Sequence, residues 1–149
     1  MSSNYSHILE ALPYSQPFLF VDALNTVSEE GCTGSYQFPA NSFFYEGHFK
    51  DHPVTPGVIL TECMAQIGLV CLGVFLLNSS GRRSGVEATR VALADSNVTY
   101  LQPVYPEETV TVVSEKVYFR FGKLKCKVKM LNASGETVCH GEMSGMVVG

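Results

Sequence analysis

Hydrophobic and polar positions alternate along the second half of the chain, as expected for strands that bury only one face. The alternation is strict over residues 123–130, where four lysines face one way and four apolar side chains face the other. The sequence NASGE, at 132–136, has the composition of a turn. Four strands are therefore predicted in this half, over residues 90–100, 108–121, 123–131 and 136–148.

The first half of the chain contains one long apolar segment instead. Apolar residues run with few breaks from Val58 to Leu77, which is too long for an ordinary strand and fits a buried helix that begins at Pro56-Gly57. The predicted elements around it are a short helix at 6–11, strands at 18–27 and 32–38, an irregular segment at 39–57 and a polar loop at 78–87.

These elements predict an α+β fold. A single long apolar helix needs cover on most of its sides, and half-apolar antiparallel strands can curl around it to provide that cover. We therefore expect a long central helix wrapped by a curved antiparallel sheet. Residues 1–149 are expected to form a single domain, because no repeat, low-complexity tract or shift in composition divides them.

Composition narrows the range of functions. Hydrophobic residues make up 46% of the chain and charged residues 16%, which indicates a packed globular protein. The net charge of −4 gives no reason to expect nucleic acid as a partner. Glu62 and Gln66 interrupt the apolar run, so a core helix is favoured over a membrane span.

The cysteines indicate a compartment. There are five of them, an odd number without metal-type spacing, and this favours free thiols in a reducing cytoplasm. The polar start of the chain has no apolar segment typical of a secretory signal. No metal and no cofactor are expected.

The residues suited to catalysis lie in one window, YEGHFKDHPVTPGVILTECMAQ, at positions 45–66. His48 stands in an irregular segment bounded by Gly and Pro, and an imidazole exchanges protons near neutral pH. Glu62 lies in the second turn of an apolar helix, where desolvation raises the pKa of a carboxyl group and keeps its proton available. Gln66, four residues further on, lies on the same helical face and can orient that carboxyl group.

The helix start adds an oxyanion donor at Gly57. The first N–H groups of a helix have no internal partner and suit a carbonyl oxygen that gains negative charge. A base, a protonated acid and such a donor can remove a proton next to a thioester and expel a β-hydroxyl group. Taken singly, His48 could be an ordinary loop histidine, Glu62 a partly exposed or arginine-paired residue, and Pro56-Gly57 a common helix start.

The window resembles the signature of the short bacterial 3-hydroxyacyl-acyl-carrier-protein dehydratases, the FabZ type of the hot-dog fold. Their pattern GHFPxxPxxPGVLxxEAxAQ corresponds here to GHFKDHPVTPGVILTECMAQ, with the histidine and the glutamate fourteen residues apart in both. LPYSQPFLFVD and YLQPVYP are similar to the family's LPHRYPFLLVD and FxRPVxPGD, so the similarity spans residues 8–147. The related FabA type carries aspartate where Glu62 stands.

The resemblance implies a role for each residue. His48 would be the base at the α-carbon, Glu62 the acid toward the β-hydroxyl group, Gly57 N–H the donor to the thioester carbonyl, and Gln66 the residue that orients Glu62. It also implies an acyl carrier protein as partner, with the substrate on its phosphopantetheine arm. The implied assembly is a homodimer in which the histidine of one subunit faces the glutamate of the other, with a trimer of dimers as a larger form.

Several positions depart from the family pattern. They are Tyr14-Ser15-Gln16 in place of His-Arg-Tyr, Ala23 in place of a basic residue, Lys50-Asp51 in place of Pro-Gly, and Glu107 in place of glycine. None is the expected acid, base or oxyanion donor. We therefore expect the same chemistry, either in fatty-acid synthesis or on a substrate of a specialised polyketide, polyene or pigment pathway. A hot-dog acyl thioesterase and a non-catalytic acyl-binding or dimerisation subunit stay open as alternatives.

A cluster of basic residues follows the window. Six of the ten lysines and arginines lie between positions 116 and 129, and no acidic residue occurs between Lys116 and Gly135. A solvated strand face explains this as well as a docking surface does. Because the carrier proteins of this class are acidic, we predict carrier docking at Lys123, Lys125, Lys127 and Lys129.

Overall fold

The protein is described by a computed structural model, which covers residues 5–79 and 90–148. Its strands are β1 (Ala23–Ser28), β2 (Gly31–Gln37), β3 (Arg90–Tyr100), β4 (Thr109–Arg120), β5 (Lys123–Leu131) and β6 (Thr137–Val148). Its helices are α1 (Ser6–Glu10), α2 (Gly57–Ala65) and α3 (Leu72–Ser79), and a π-helical segment (Gln66–Cys71) joins the last two. We call the continuous run from α2 to α3 the central helix.

All six strands form one antiparallel sheet in the order β1-β2-β4-β5-β6-β3. The sheet buries its apolar face against the central helix. In β5, the residues predicted to point inward are at most 3% exposed; they are Leu124, Cys126, Val128 and Met130. The α+β prediction is confirmed, with the central helix and curved sheet of a hot-dog fold.

Close contact between helix and sheet depends on a glycine. A Cβ atom at Gly68 would lie 2.9 Å from Cγ1 of Val128 and 3.1 Å from Cβ of Ser114, so a larger residue would force the helix away from the sheet. The π-helical segment around Gly68 shifts the backbone hydrogen-bonding pattern. The Ser114 hydroxyl donates to the Gly68 carbonyl at 2.8 Å, and the Cys32 thiol donates to the Ile67 carbonyl at 3.3 Å.

The central helix belongs to the core. Residues Gly57–Asn78 are apolar and long enough to cross a membrane, but 78% of the most apolar window is buried inside the protein. That degree of cover is typical of a core helix. All five cysteines are buried and unpaired; they are Cys32, Cys63, Cys71, Cys126 and Cys139.

Two predicted boundaries are wrong. The strand predicted over 18–27 begins at Ala23, because the backbone of Phe18 and Phe20 bonds to a side chain of the central helix instead of to another strand. Phe20 N–H donates to Oε1 of Gln66 at 2.8 Å, and Nε2 of Gln66 donates to the Phe18 carbonyl at 3.1 Å. The loop predicted at 78–87 starts too early, since α3 extends to Ser79; the rest of that loop lies outside the described residues.

Candidate active site

His48 is held by hydrogen bonds within its own loop. Nδ1 of the half-buried ring lies 2.9 Å from the Val54 carbonyl, and Val54 N–H donates to the His48 carbonyl at 2.9 Å. Because a carbonyl oxygen only accepts, Nδ1 carries the proton in this contact and Nε2 of the neutral ring keeps its lone pair. The Phe49 ring stacks on the imidazole at a centroid distance of 4.0 Å. In this geometry Nε2 of the neutral ring is the nitrogen left to accept a proton.

Two residues that the sequence did not single out hold this loop in place. The Tyr45 and Thr55 hydroxyl groups form a buried hydrogen bond of 2.6 Å, and Thr55 N–H donates to the Val104 carbonyl at 2.8 Å. Burial raises the pKa of Tyr45, so its hydroxyl stays protonated. Thr55 directly follows Val54, so the two hydrogen bonds of Thr55 also fix the Val54 carbonyl, which orients His48. We regard Tyr45 and Thr55 as positioning residues.

Gly57 begins the central helix and faces the same groove as His48. The N–H groups of Ile59 and Leu60 donate to the Pro56 carbonyl at 2.9 and 3.1 Å. Within residues 5–79 and 90–148 no acceptor is assigned to Gly57 N–H, as expected for the first residue of a helix. His48 and Gly57 line one open groove of about 420 Å³. The structure thus brings the expected base and the expected oxyanion donor together.

Glu62 is bonded to Gln66 on another face of the helix. Nε2 of the fully buried Gln66 donates to Oε2 of Glu62 at 3.0 Å. Burial raises the pKa of Glu62, and the bond from Gln66 offsets part of that rise. The pKa of nearby Tyr14 is raised to about 12, first by burial and then by the Glu62 charge. The protonated form of this carboxyl group is therefore more favoured here than it would be in water.

The structure does not bring His48 and Glu62 together within one chain. Glu62 follows Gly57 by five residues, which places it about 140° around the helix axis from the groove. No hydrogen bond or ion pair in the described part of the chain joins His48 to Glu62. One chain therefore presents a base side, formed by His48 and Gly57, and a separate acid side, formed by Glu62 and Gln66.

An aromatic cavity lies next to the acid side. Phe20, whose N–H is bonded to Gln66, lines a cavity of about 250 Å³ together with Tyr36, Phe43 and Phe44. The rings of Phe20 and Tyr36 meet edge to face at 5.8 Å. Gln16, Asn41 and Ser42 also line the cavity, so its aromatic rings can pack against the hydrocarbon part of an acyl group while polar groups stand beside them.

Two of the four lysines of the predicted docking surface, Lys125 and Lys127, have acidic neighbours that the local sequence did not reveal. Lys127 lies opposite Glu115 of β4 and Glu142 of β6, on the same face of the sheet. Nζ of Lys125 lies 3.4 Å from Oε1 of Glu142. Lys129 lies between Val113 and His140, and Lys123 lies beside Arg120. Positive charge is therefore least compensated at Lys123 and Lys129.

Comparisons with known proteins identify the family of this chain. Residues 12–144 match the FabA-like domain. The chain is 33% identical over 143 residues to the 3-hydroxyacyl-[acyl-carrier-protein] dehydratase FabZ of Caldicellulosiruptor bescii, covering 94% of this chain and 95% of that protein. It is 31% identical over 144 residues to the enzyme of the same name from Clostridium perfringens, covering 94% and 95%.

Solved structures share the fold. The dehydratase heterocomplex ApeI:P from Xenorhabdus doucetiae contains a chain that superposes with a TM-score of 0.79 at 11% identity, over 95% of this chain and 91% of that one. A hypothetical thioesterase from Streptococcus pneumoniae, with coenzyme A, superposes with a TM-score of 0.61 at 15% identity, over 100% and 98%. At these identities the likeness concerns the hot-dog architecture alone.

Proposed function

The chain belongs to the FabZ-type dehydratases of the FabA-like family, and we propose that it removes water from 3-hydroxyacyl thioesters on acyl carrier protein with His48 as base and Glu62 as acid. The observation that supports these roles best is the groove shared by His48 and Gly57. It puts a base with a free lone pair beside an unpaired N–H at the positive end of a helix.

The chemistry follows from these groups. Nε2 of His48 takes the proton from the α-carbon, and Gly57 N–H stabilises the negative charge that develops on the thioester oxygen. Electrons of the broken C–H bond form the α,β double bond. The β-hydroxyl group leaves as water after it receives the proton of Glu62. The products are the trans-2-enoyl thioester, a protonated His48 and an ionised Glu62, which are reset by transfer of one proton from base to acid.

We also propose that a complete site needs two chains. The base side and the acid side point in different directions within one chain, so a second copy can bring its acid side to the groove. β3 forms one edge of the sheet, and it is an eleven-residue strand with no neighbour on its outer side among residues 5–79 and 90–148. Such an edge is suited to pairing with the same strand of another copy. Three dimers of this kind could associate further.

A thioesterase is the second candidate, since thioesterases share this fold. Hydrolysis needs a carboxylate and a water molecule but has no use for a histidine base beside the oxyanion donor. Incubation with 3-hydroxyacyl and enoyl thioesters of acyl carrier protein separates the candidates. We expect loss or addition of water with the thioester intact. Release of free carrier thiol would identify a thioesterase, and no reaction would leave a non-catalytic acyl-binding subunit.

The environment of Glu62 predicts a pH dependence. The acid must be protonated before the reaction, and burial raises the pKa of Glu62. We therefore expect the alkaline side of the pH profile to decline as the pH rises through that raised pKa, at a pH above the ordinary range of a glutamate. The measurement is kcat/KM against pH. If the residual activity of Glu62→Gln shows the same alkaline decline, another group is responsible for it.

The lysine face predicts a dependence on the carrier. Lys123→Glu combined with Lys125→Glu is expected to raise the KM for a carrier-bound substrate, because complementary charge speeds association with an acidic partner. The difference from wild type should shrink as salt is added. An N-acetylcysteamine thioester reaches the site without docking a protein and serves as the control substrate. An equal change in KM for both substrates, or no change for either, would exclude the lysine face as the carrier-docking surface.

The proposal also includes the pathway of the substrate and the cellular compartment of the protein. The pathway is fatty-acid synthesis or a specialised polyketide or polyene synthesis; Tyr14, at one of the departures from the family pattern, lies near Glu62 and can affect which of these substrates the site accepts. The five free, buried cysteines are consistent with a reducing cytoplasm.

A further inference from the structure

The Tyr100 ring forms a wall of the groove at the oxyanion donor. It is the last residue of β3 and is 47% exposed. A Cβ atom at Gly57 would lie only 3.1 Å from Cε1 and 3.2 Å from Cζ of this ring, so the ring packs directly on the first turn of the central helix. His48, Leu60 and Tyr100 line the same groove. The ring therefore borders the space in which the thioester carbonyl must sit.

The ring is held at both ends. Its backbone is paired with Cys139 of β6, and its hydroxyl group is hydrogen-bonded to Oγ1 of Thr61. Thr61 follows Gly57 by four residues and so lies on the same helical face, one turn further along. A phenylalanine, as in the FxRPV pattern of the similar dehydratases, would be held at its backbone alone. In this chain the Tyr100–Thr61 pair prevents the ring from swinging aside.

We propose that the Tyr100–Thr61 pair is a specificity-determining element that restricts this site to thioesters without a branch at the α-carbon. The inference rests on the proposed function, since the position of the α-carbon follows from two contacts. His48 takes the α-proton, and Gly57 N–H binds the adjacent carbonyl oxygen, so the α-carbon lies between them. A substituent at that carbon meets the Tyr100 ring, which cannot give way.

The test is a ratio of specificities. It compares kcat/KM for the N-acetylcysteamine thioesters of 3-hydroxybutanoate and 2-methyl-3-hydroxybutanoate. Tyr100→Ala removes the wall and is expected to shift this ratio at least tenfold toward the branched substrate, which is the usual effect of a single methyl or methylene group in an apolar pocket. Tyr100→Phe and Thr61→Val each remove only the hydrogen bond and are expected to shift it about threefold to tenfold.

The double variant Tyr100→Phe/Thr61→Val adds a further check. Because both single changes break the same bond, the double variant is expected to match either of them and not their product. Tyr118→Phe serves as the matched control, since Tyr118 lies on β4 outside this groove, with Arg120 4.3 Å from its ring centroid. Its ratio should equal that of the wild type. A residue that only supports folding would change stability and leave the ratio unchanged.

An unchanged ratio in folded Tyr100→Ala overturns the proposal. Should the wild type dehydrate neither substrate, the proposed function fails, and the wall is then tested by binding alone. Calorimetry with the pantetheine amides of butanoate and 2-methylbutanoate, neither of which can react, supplies that measurement. A preference for the unbranched amide that is lost in Tyr100→Ala supports the wall, and equal binding of both amides by the wild type refutes it.

Discussion

Replacing His48 with alanine, or Glu62 with glutamine, is expected to lower turnover by about 10²–10⁴ in each case, the usual contribution of an acid or base group. His48→Ala leaves the α-proton without an acceptor beside Gly57 N–H. Glu62→Gln leaves the β-hydroxyl group without a proton donor, because an amide cannot release its proton at neutral pH. The measurement is the rate of enoyl thioester formation under single-turnover conditions.

Both variants should stay folded, so the loss can be assigned to chemistry. The His48 ring is half-buried, and in the described part of the chain it bonds to a carbonyl of its own loop. Glutamine at position 62 keeps the size of the side chain, and its amide oxygen can still accept the bond from Gln66. His52→Ala is a matched control, because His52 is an exposed histidine of the same loop. Turnover near that of the wild type in either dyad variant would remove this mechanism.

The fold could be predicted because its signals are local. Strict alternation gave β5 its bounds, since one face of that strand packs on the helix and the other meets solvent. The length of the apolar run separated the central helix from a strand. The error at Phe18 has a physical cause that no local pattern contains. Whether residues 18–20 pair with a strand depends on Gln66, which is more than forty positions away in the sequence and supplies both a donor and an acceptor.

The site could be predicted only in part, for the same reason. His48, Gly57, Glu62 and Gln66 are close in sequence, so their spacing was informative. The acids beside Lys127 come from β4 and β6, and Tyr100 reaches Thr61 from a strand 39 residues further on. These contacts depend on strand register and on where the helix crosses the sheet. Neither can be obtained from a pattern within one segment.

Because the base side and the acid side are separate within one chain, the catalytic activity of a dimer is expected to depend on which two chains form it. If each site joins His48 of one subunit to Glu62 of another, a homodimer of either dyad variant has no complete site. Both sites of His48→Ala then lack the base, and both sites of Glu62→Gln lack the acid. A heterodimer of the two variants differs, because the Glu62→Gln chain supplies its intact His48 to the intact Glu62 of the other chain. One of its two sites is complete and the other lacks both groups.

Mixing equal amounts of the two inactive variants, unfolding them and refolding them together is therefore expected to restore about a quarter of wild-type activity, because half of the dimers are mixed and each mixed dimer has one complete site. Two different affinity tags allow the heterodimer to be purified, and its activity per dimer should approach half that of the wild type. Mixing the variants without unfolding them is the control and should restore little at short times. A purified heterodimer as inactive as its parents would show that each site is built within one chain.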